Sequence, residues 1–203
     1  RTVLAVGIIA VGLSAVVGVP LGMLAGQAGG WVDEVVMRVG DVVYAFPALL
    51  LAILLAGVFG ASTETAMLAI GLASVPAFVR VARAGAMSVL ASDYVLAAKA
   101  SGTPPVRTAL RHVLPNISPL IGVQVSVSFA LAILAEAALS YLGLGTPSTV
   151  PSWGRMLGDA QTYLVSHPGQ AVWPGLAIAG TVLGFNLVGD GLRLAYRGHV
   201  MRI

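Results

Sequence analysis

Few side chains in this sequence are of a type that does chemistry, and their spacing rules most chemistry out. A nucleotide-binding P-loop needs Gly-Lys-Ser/Thr, so that backbone amides and one ammonium surround the phosphates. The single lysine, Lys99, stands between Ala98 and Ala100. His112, His167 and His199 are scattered, no nucleophile and base share a recognisable spacing, and cysteine is absent. No metal cluster, thiolate site or disulfide is expected, and redox compartment cannot be inferred. Two features remain. One is Glu136, a carboxylate inside the apolar run ALAILAEAALSYLGLG. An ionisable group in a membrane span marks either a pathway or a structural pairing. The other is a basic, helix-forming stretch at 80–116 carrying Arg80, Arg83, Lys99, Arg107 and Arg111. Such a loop between membrane spans can dock a cytoplasmic partner.

The elements that must position these residues follow from composition. Hydrophobic residues make up 58% of the 203-residue chain and charged residues only 9%, with a mean hydropathy of +0.94. Soluble domains carry about 25% charge, so this chain cannot coat a water-exposed surface and reads as an all-α, polytopic membrane protein. The net charge of +3 does not signal nucleic-acid binding, because the basic residues are spread out and form no aromatic-basic face. The chain begins at Arg1 rather than Met and lacks the features of a signal peptide, so more sequence is expected upstream.

Five spans are expected, at 3–26, 42–60, 65–79, 118–142 and 171–188. The first would be about 36 Å long at 1.5 Å per residue, enough for about 30 Å of hydrocarbon. Placing loop 80–116 in the cytoplasm puts Arg38, Arg80, Arg83, Lys99, Arg107, Arg111, Arg193, Arg197 and Arg202 inside and leaves only Arg1 and Arg155 outside. His112 and His199 then lie inside and His167 outside. Arg1 outside implies one further span upstream.

Within the spans, Ala10, Ser14, Gly18, Gly22 and Gly26 recur every four residues. This stripe is suited to close helix approach, within the chain or against a partner. Pro20, Pro47, Pro76 and Pro174 lie in or beside spans and can bend them, as packing features or to shape a pathway. Asp190 and Arg193 are spaced for an i,i+3 pair. In the basic loop, 84–101 reads as one helix. Gly102 is its C′ residue, Thr103 caps a second helix with Pro104 at N1, Leu114-Pro115 ends it, and Ser118-Pro119 restarts helix into the membrane. In the loop 141–170, Ser152 caps an amphipathic helix with Trp153, Met156, Leu157, Ala160 and Leu164 on one face, which lies at the outer surface, dips into a cavity or serves as an interfacial anchor.

The segment YVLAAKASG at 94–102, with Pro115 thirteen residues after Gly102 in RHVLPN, resembles the EAA motif of permease subunits of binding-protein-dependent ABC importers. GGWVDE at 29–34, DVVYAFP at 41–47, EAALSYLGLG at 136–145, PSWG at 151–154 and FNLVGDGLR at 185–193 resemble the dipeptide, oligopeptide and nickel subgroup, and the set is most similar to its "C" permease. The resemblance covers essentially the whole chain. It implies a type I ABC importer transmembrane domain, with six spans in the intact subunit, in the cell (inner) membrane. It implies a heterodimer with a homologous permease, two ATPase subunits, an external binding protein and surrounding membrane lipids. The ATP and Mg would be used by the ATPases, with no cofactor on this chain. The implied ATPase-coupling residues are Tyr94, Leu96, Ala97, Ala98, Lys99, Gly102, Arg107, Arg111, Leu114 and Pro115. Glu136, Pro47, Gly18 and Gly22 are pathway or packing candidates. One departure stands out: the family usually has Glu where this chain has Leu96, so a contact there is apolar. The implied cargo is a di- or oligopeptide, with nickel or another small solute as alternatives. The rivals from other classes are a secondary transporter or channel using Glu136, and a purely structural membrane scaffold.

Overall fold

The computed structural model describes residues 2–147 and 149–200, the last five of these by backbone alone. Arg1 and Arg202, and the side chains of Arg197 and His199, lie outside what is described. Every regular element among the described residues is helical: α1 (Thr2–Ala28), α2 (Gly30–Ala45), α3 (Ala48–Phe59), α4 (Thr63–Leu90), α5 (Asp93–Ala100), α6 (Pro105–Thr108), a π-helical turn (Ala109–Val113), α7 (Leu114–Tyr141), α8 (Trp153–Gln161) and α9 (Gly169–Val200).

Four described helices are long and apolar enough to cross a membrane, with a fifth crossing if α2 and α3 count as one broken span. The expected span at 42–60 is not one continuous helix. It stops at Ala45 and restarts at Ala48, with a bend of 82°. Pro47 is the cause: it has no N–H to continue the ladder and disfavours the helical region for Phe46 before it. Pro20, Pro76 and Pro174 lie inside continuous helices, so only Pro47 of the four breaks one. The expected short span at 65–79 is part of the 28-residue α4, which begins where the Ser62 hydroxyl accepts from the Thr65 amide at 3.1 Å and runs on past Arg80 and Arg83.

The chain divides into two compact units. One contains the chain up to Leu13, Phe46–Ser74 and Ser126–Val188. Its packing is set by close approach: a Cβ on Gly7 would lie 2.8 Å from the ring of Phe129, and one on Gly71 would lie 3.2 Å from the carbonyl of Ala10. The Phe129 and Phe185 rings stack 4.1 Å apart. The other unit contains Ser14–Ala45, Val75–Val125 and the chain from Gly189. Here the small-residue stripe of α1 has its partner, which is α4. A Cβ on Gly18 would meet Phe78 Cβ at 2.6 Å and the Val75 carbonyl at 2.8 Å. One on Gly22 would strike the Val79 carbonyl, and one on Gly26 would lie 3.0 Å from that of Arg83. Gly18 and Gly22 therefore lie in close contact with α4. The expected Asp190–Arg193 pair is not among the described ion pairs.

Candidate functional site

The basic loop is built by local breaks. The single helix expected at 84–101 is two, because α4 ends at Leu90 and α5 begins at Asp93. Ser92 is extended at the break, and its hydroxyl donates to the Val89 carbonyl at 2.5 Å. A serine side chain competing for backbone partners in this way favours a break over continued helix. Asp93 in the first turn and Lys99 in the last complement the dipole of α5. The helix then ends as expected at Gly102, which adopts φ +82°. The Gly102 amide donates to Lys99 and the Thr103 amide to Ala98, at 3.0 and 3.1 Å, the paired bonds of a Schellman turn.

The following helix starts one residue later than expected, with Pro104 extended as N-cap and Pro105 as the first helical residue. Thr103 does not cap it. Nor does the helix end at Leu114-Pro115: it runs as one helical span from Pro105 to Tyr141. Three local features carry it past its prolines. The π turn at Ala109–Val113 widens the backbone just before Pro115, relieving the clash a proline ring makes with the carbonyl four residues back. Asn116 Nδ2 donates to the His112 carbonyl at 2.7 Å. The Ser118 hydroxyl donates at 2.8 Å to the Pro115 carbonyl, which Pro119 leaves without an amide donor.

These breaks bring the ten predicted coupling residues into one compact unit and leave nearly all of them facing outward. Val95, Thr108, Val113 and Ile117 are buried and hold the loop down. Tyr94 ties α5 to the start of α7: its hydroxyl accepts from Asn116 Nδ2 at 3.1 Å, and its ring meets His112 edge-on at 6.0 Å. Leu96 is 49% exposed and Val106 71%. Ala97, Lys99, Gly102, Arg107, Leu110, Arg111, Leu114 and Pro115 are exposed too, while Ala98 is half-buried. Pro104, Val106, Arg107, Leu110 and Arg111 line one open hollow, and Leu24, Gln27, Lys99 and Thr103 lie around a second. Gln27 Nε2, from the end of α1, donates to the Pro105 carbonyl at 2.9 Å. Lys99, Arg107 and Arg111 are absent from the described ion pairs. The surface therefore offers apolar side chains and unspent positive charge together.

Arg80 and Arg83 behave differently. Sequence reasoning grouped them with the loop's charge, but both are bound to α2. Arg83 Nε and Nη2 donate to the two carboxylate oxygens of Asp33, each at 2.5 Å. Arg80 pairs with Asp41 at 2.7 Å and lies over the Tyr44 ring at 4.4 Å. Asp33, Asp41 and Tyr44 went unassigned in the sequence, although acids at 33 and 41 share a broad face of an α-helix.

In the sequence Glu136 is either a pathway residue or a structural pairing that reaches an interface or a helix partner. It is fully buried, and its carboxylate closes the end of its own helix. Its Oε1 accepts from the Ser140 hydroxyl at 2.7 Å and the Thr146 hydroxyl at 3.0 Å, while Ser140 Oγ accepts from the Thr146 amide at 3.0 Å. Oε2 has no hydrogen-bond partner among the described residues. A second Schellman turn, with Gly143 at φ +77°, completes this end. Ser152 caps α8 as expected, accepting from the Arg155 amide at 3.2 Å. The packed side of α8 is Gly154 and Ala160, both buried, with Trp153 and Leu157 half-buried. Met156 is exposed and Leu164 lies beyond the helix. A Cβ on Gly154 would strike the Ala137 carbonyl, so α8 lies directly on α7.

Comparison with known proteins gives this arrangement a context. The family described as binding-protein-dependent transport system inner membrane component matches residues 18–199. The dipeptide transport system permease protein DppC of Alkalihalophilus pseudofirmus is 41% identical over 194 residues, covering 95% of this chain and 64% of that protein. The glutathione transport system permease protein GsiD of Pectobacterium atrosepticum is 39% identical over 193 residues, with shares of 95% and 64%. That of Escherichia coli is 40% identical over 190 residues, with shares of 94% and 63%. The chain thus spans a little under two thirds of the length of these relatives. Chains from two inward-facing structures of the MetNI methionine ABC transporter superpose with TM-scores of 0.79 and 0.77 at 15% identity, over 96% of this chain and 93% of theirs. The fold is that of an ABC importer transmembrane domain.

Proposed function

The chain belongs to the family of binding-protein-dependent transport system inner membrane components, and from that premise we propose that it is the permease subunit of an ATP-driven importer of di- or oligopeptides. It is a multi-pass membrane protein, and its place in this reading is the cell membrane. It pairs with a homologous permease to enclose the path. Two ATPase subunits bind the cytoplasmic loops and use ATP and Mg, and an external binding protein delivers cargo. The relatives at 41% and 40% identity carry the names of dipeptide and glutathione permeases, which supports a peptide cargo.

The observation that carries the reading is the loop surface. α5, α6 and the π turn present exposed Leu96, Ala97, Lys99, Val106, Arg107, Leu110 and Arg111 with no covering element of their own unit. An exposed apolar patch rimmed by charge marks a protein or membrane interaction site, and in the proposed importer it is the ATPase contact. Leu96, where the family usually has Glu, makes the contact at that position one of shape and apolar packing.

The chain has no cysteine, so Leu96→Cys gives it a single thiol for cross-linking. In the assembled complex that thiol is expected to join the ATPase subunit through a short bifunctional reagent, whereas Leu164→Cys, in the other long loop, is not. Cross-linking at position 164 and none at 96 would refute the docking site.

A further inference from the structure

α2 is tied to α4 by charge. None of its side chains is buried. Trp31 is 74% exposed, and Val35, Val39 and Val42 are exposed along the same face. Its attachments are the forked Arg83–Asp33 pair, the Arg80–Asp41 pair and Arg80 over the Tyr44 ring. Gly40 adds a close approach, since a Cβ there would lie 3.7 Å from Pro76 Cβ. The chain on either side of α2 can turn: Gly29 and Gly30 have φ of +63° and +52°, and Phe46 and Pro47 are non-helical. α2 is therefore a helix bounded by two breaks in the helical backbone, at Gly29–Gly30 and Phe46–Pro47. Its two acidic anchor points are about 12 Å apart along its axis at 1.5 Å per residue. Two separated anchors fix the direction of a rod, where one would leave it free to pivot. The forked pair adds direction of its own, because a guanidinium matches a carboxylate in one plane.

The other end of this link is the docking surface. α4 carries Arg80 and Arg83 and reaches α5 after only Ala91 and Ser92. We infer that the two Arg–Asp pairs are the strap by which movement of α5 is passed to α2, making Asp33, Asp41, Arg80 and Arg83 positioning residues for transport. The inference rests on the importer reading above. Only two residues separate α5 from α4, so movement of α5 reaches α4, and α2 follows because it is tied at both anchors.

The test uses the complete importer with the intact permease in proteoliposomes. Asp33→Asn and Arg83→Gln each break the fork, and the exchange Asp33→Arg with Arg83→Asp restores opposite charges. Three quantities are read: ATPase co-purification, ATP hydrolysis, and cargo taken up per ATP. The strap predicts unchanged co-purification in the single variants. It also predicts uptake per ATP lowered by between about twofold and thirtyfold, the range by which residues within a coupling network alter it. The exchanged pair is expected to recover most of that loss, and Arg83→Lys, which keeps charge without the fork, to fall between. Unchanged uptake per ATP in the single variants overturns the strap. So does parallel loss of co-purification and uptake that the exchange does not repair, since that marks a purely structural pair. The importer reading fails separately, in the unmutated complex, if uptake there does not depend on the ATPase.

Discussion

Replacing Gly22 by alanine tests whether the stripe on α1 belongs to α4. The added Cβ would strike the Val79 carbonyl and lie 2.8 Å from Ala82 Cβ and 3.0 Å from the Arg83 amide nitrogen. Two of these three neighbours are backbone, which cannot swing aside as a side chain can. Overpacking of this kind costs about 1–3 kcal/mol. Gly12, on the same helix, is the control, because a Cβ there meets nothing within 4 Å. Both substitutions gain the same helix propensity, roughly 1 kcal/mol in water, so the difference between the variants isolates the packing cost. Thermal unfolding of the purified permease in detergent reads it. At about 2–4 °C per kcal/mol for a chain of this size, Gly22→Ala is expected to melt roughly 2–12 °C below Gly12→Ala. Equal melting temperatures would refute the packing. Equal melting combined with loss of a partner subunit from Gly22→Ala alone would show instead that the stripe faces another chain.

Three further outcomes follow from the same geometry. Gly102 holds φ +82° in open space, so Gly102→Val carries the backbone cost of a left-handed residue, about 1–2 kcal/mol, without a clash; it should insert normally and lose ATP-driven uptake, and normal uptake would remove the turn from the mechanism. Arg107→Ala with Arg111→Ala should weaken ATPase co-purification, most clearly against wild type at low salt where charge is least screened; equal recovery at low and high salt would remove their role. Glu136→Ala leaves the Ser140 and Thr146 hydroxyls without their acceptor, which costs about 1–3 kcal/mol, whereas Glu136→Gln keeps an oxygen for them and should melt closer to wild type; a glutamine variant as unstable as the alanine one would contradict the hydrogen-bonded closure of α7.

Features that depend on one residue's own backbone were legible in the sequence. Gly102 reads as a helix end because only glycine adopts its conformation cheaply, and Ser152 reads as a cap because its hydroxyl reaches the next turn. The small-residue stripe on α1 was legible as a contact, but its partner was not, since the facing atoms are largely backbone carbonyls and amides of α4 that any sequence supplies. Local breaker rules misled where several neighbours compensate together. Leu114-Pro115 and Ser118-Pro119 look like a stop and a restart, yet the π turn, Asn116 and Ser118 carry one helix through both. Pro47 has no such compensation and breaks the chain inside a run whose apolar character continues across the break. Arg80 and Arg83 were misgrouped for a different reason: counting charge along the chain cannot reveal that Asp33, Asp41 and Tyr44, some 36 to 50 positions away, sit opposite them.

In the proposed importer this chain moves cargo only when an ATPase works on its exposed loop. The most direct measurement is uptake of radiolabelled dipeptide into proteoliposomes holding the intact permease pair and its binding protein, with ATP and Mg on the loop side, and with the ATPase subunits present or omitted. An ATP-driven importer accumulates the dipeptide against a gradient, requires the ATPases and stops when ATP is withheld. Accumulation that continues without the ATPases, driven by an ion gradient alone, would contradict it.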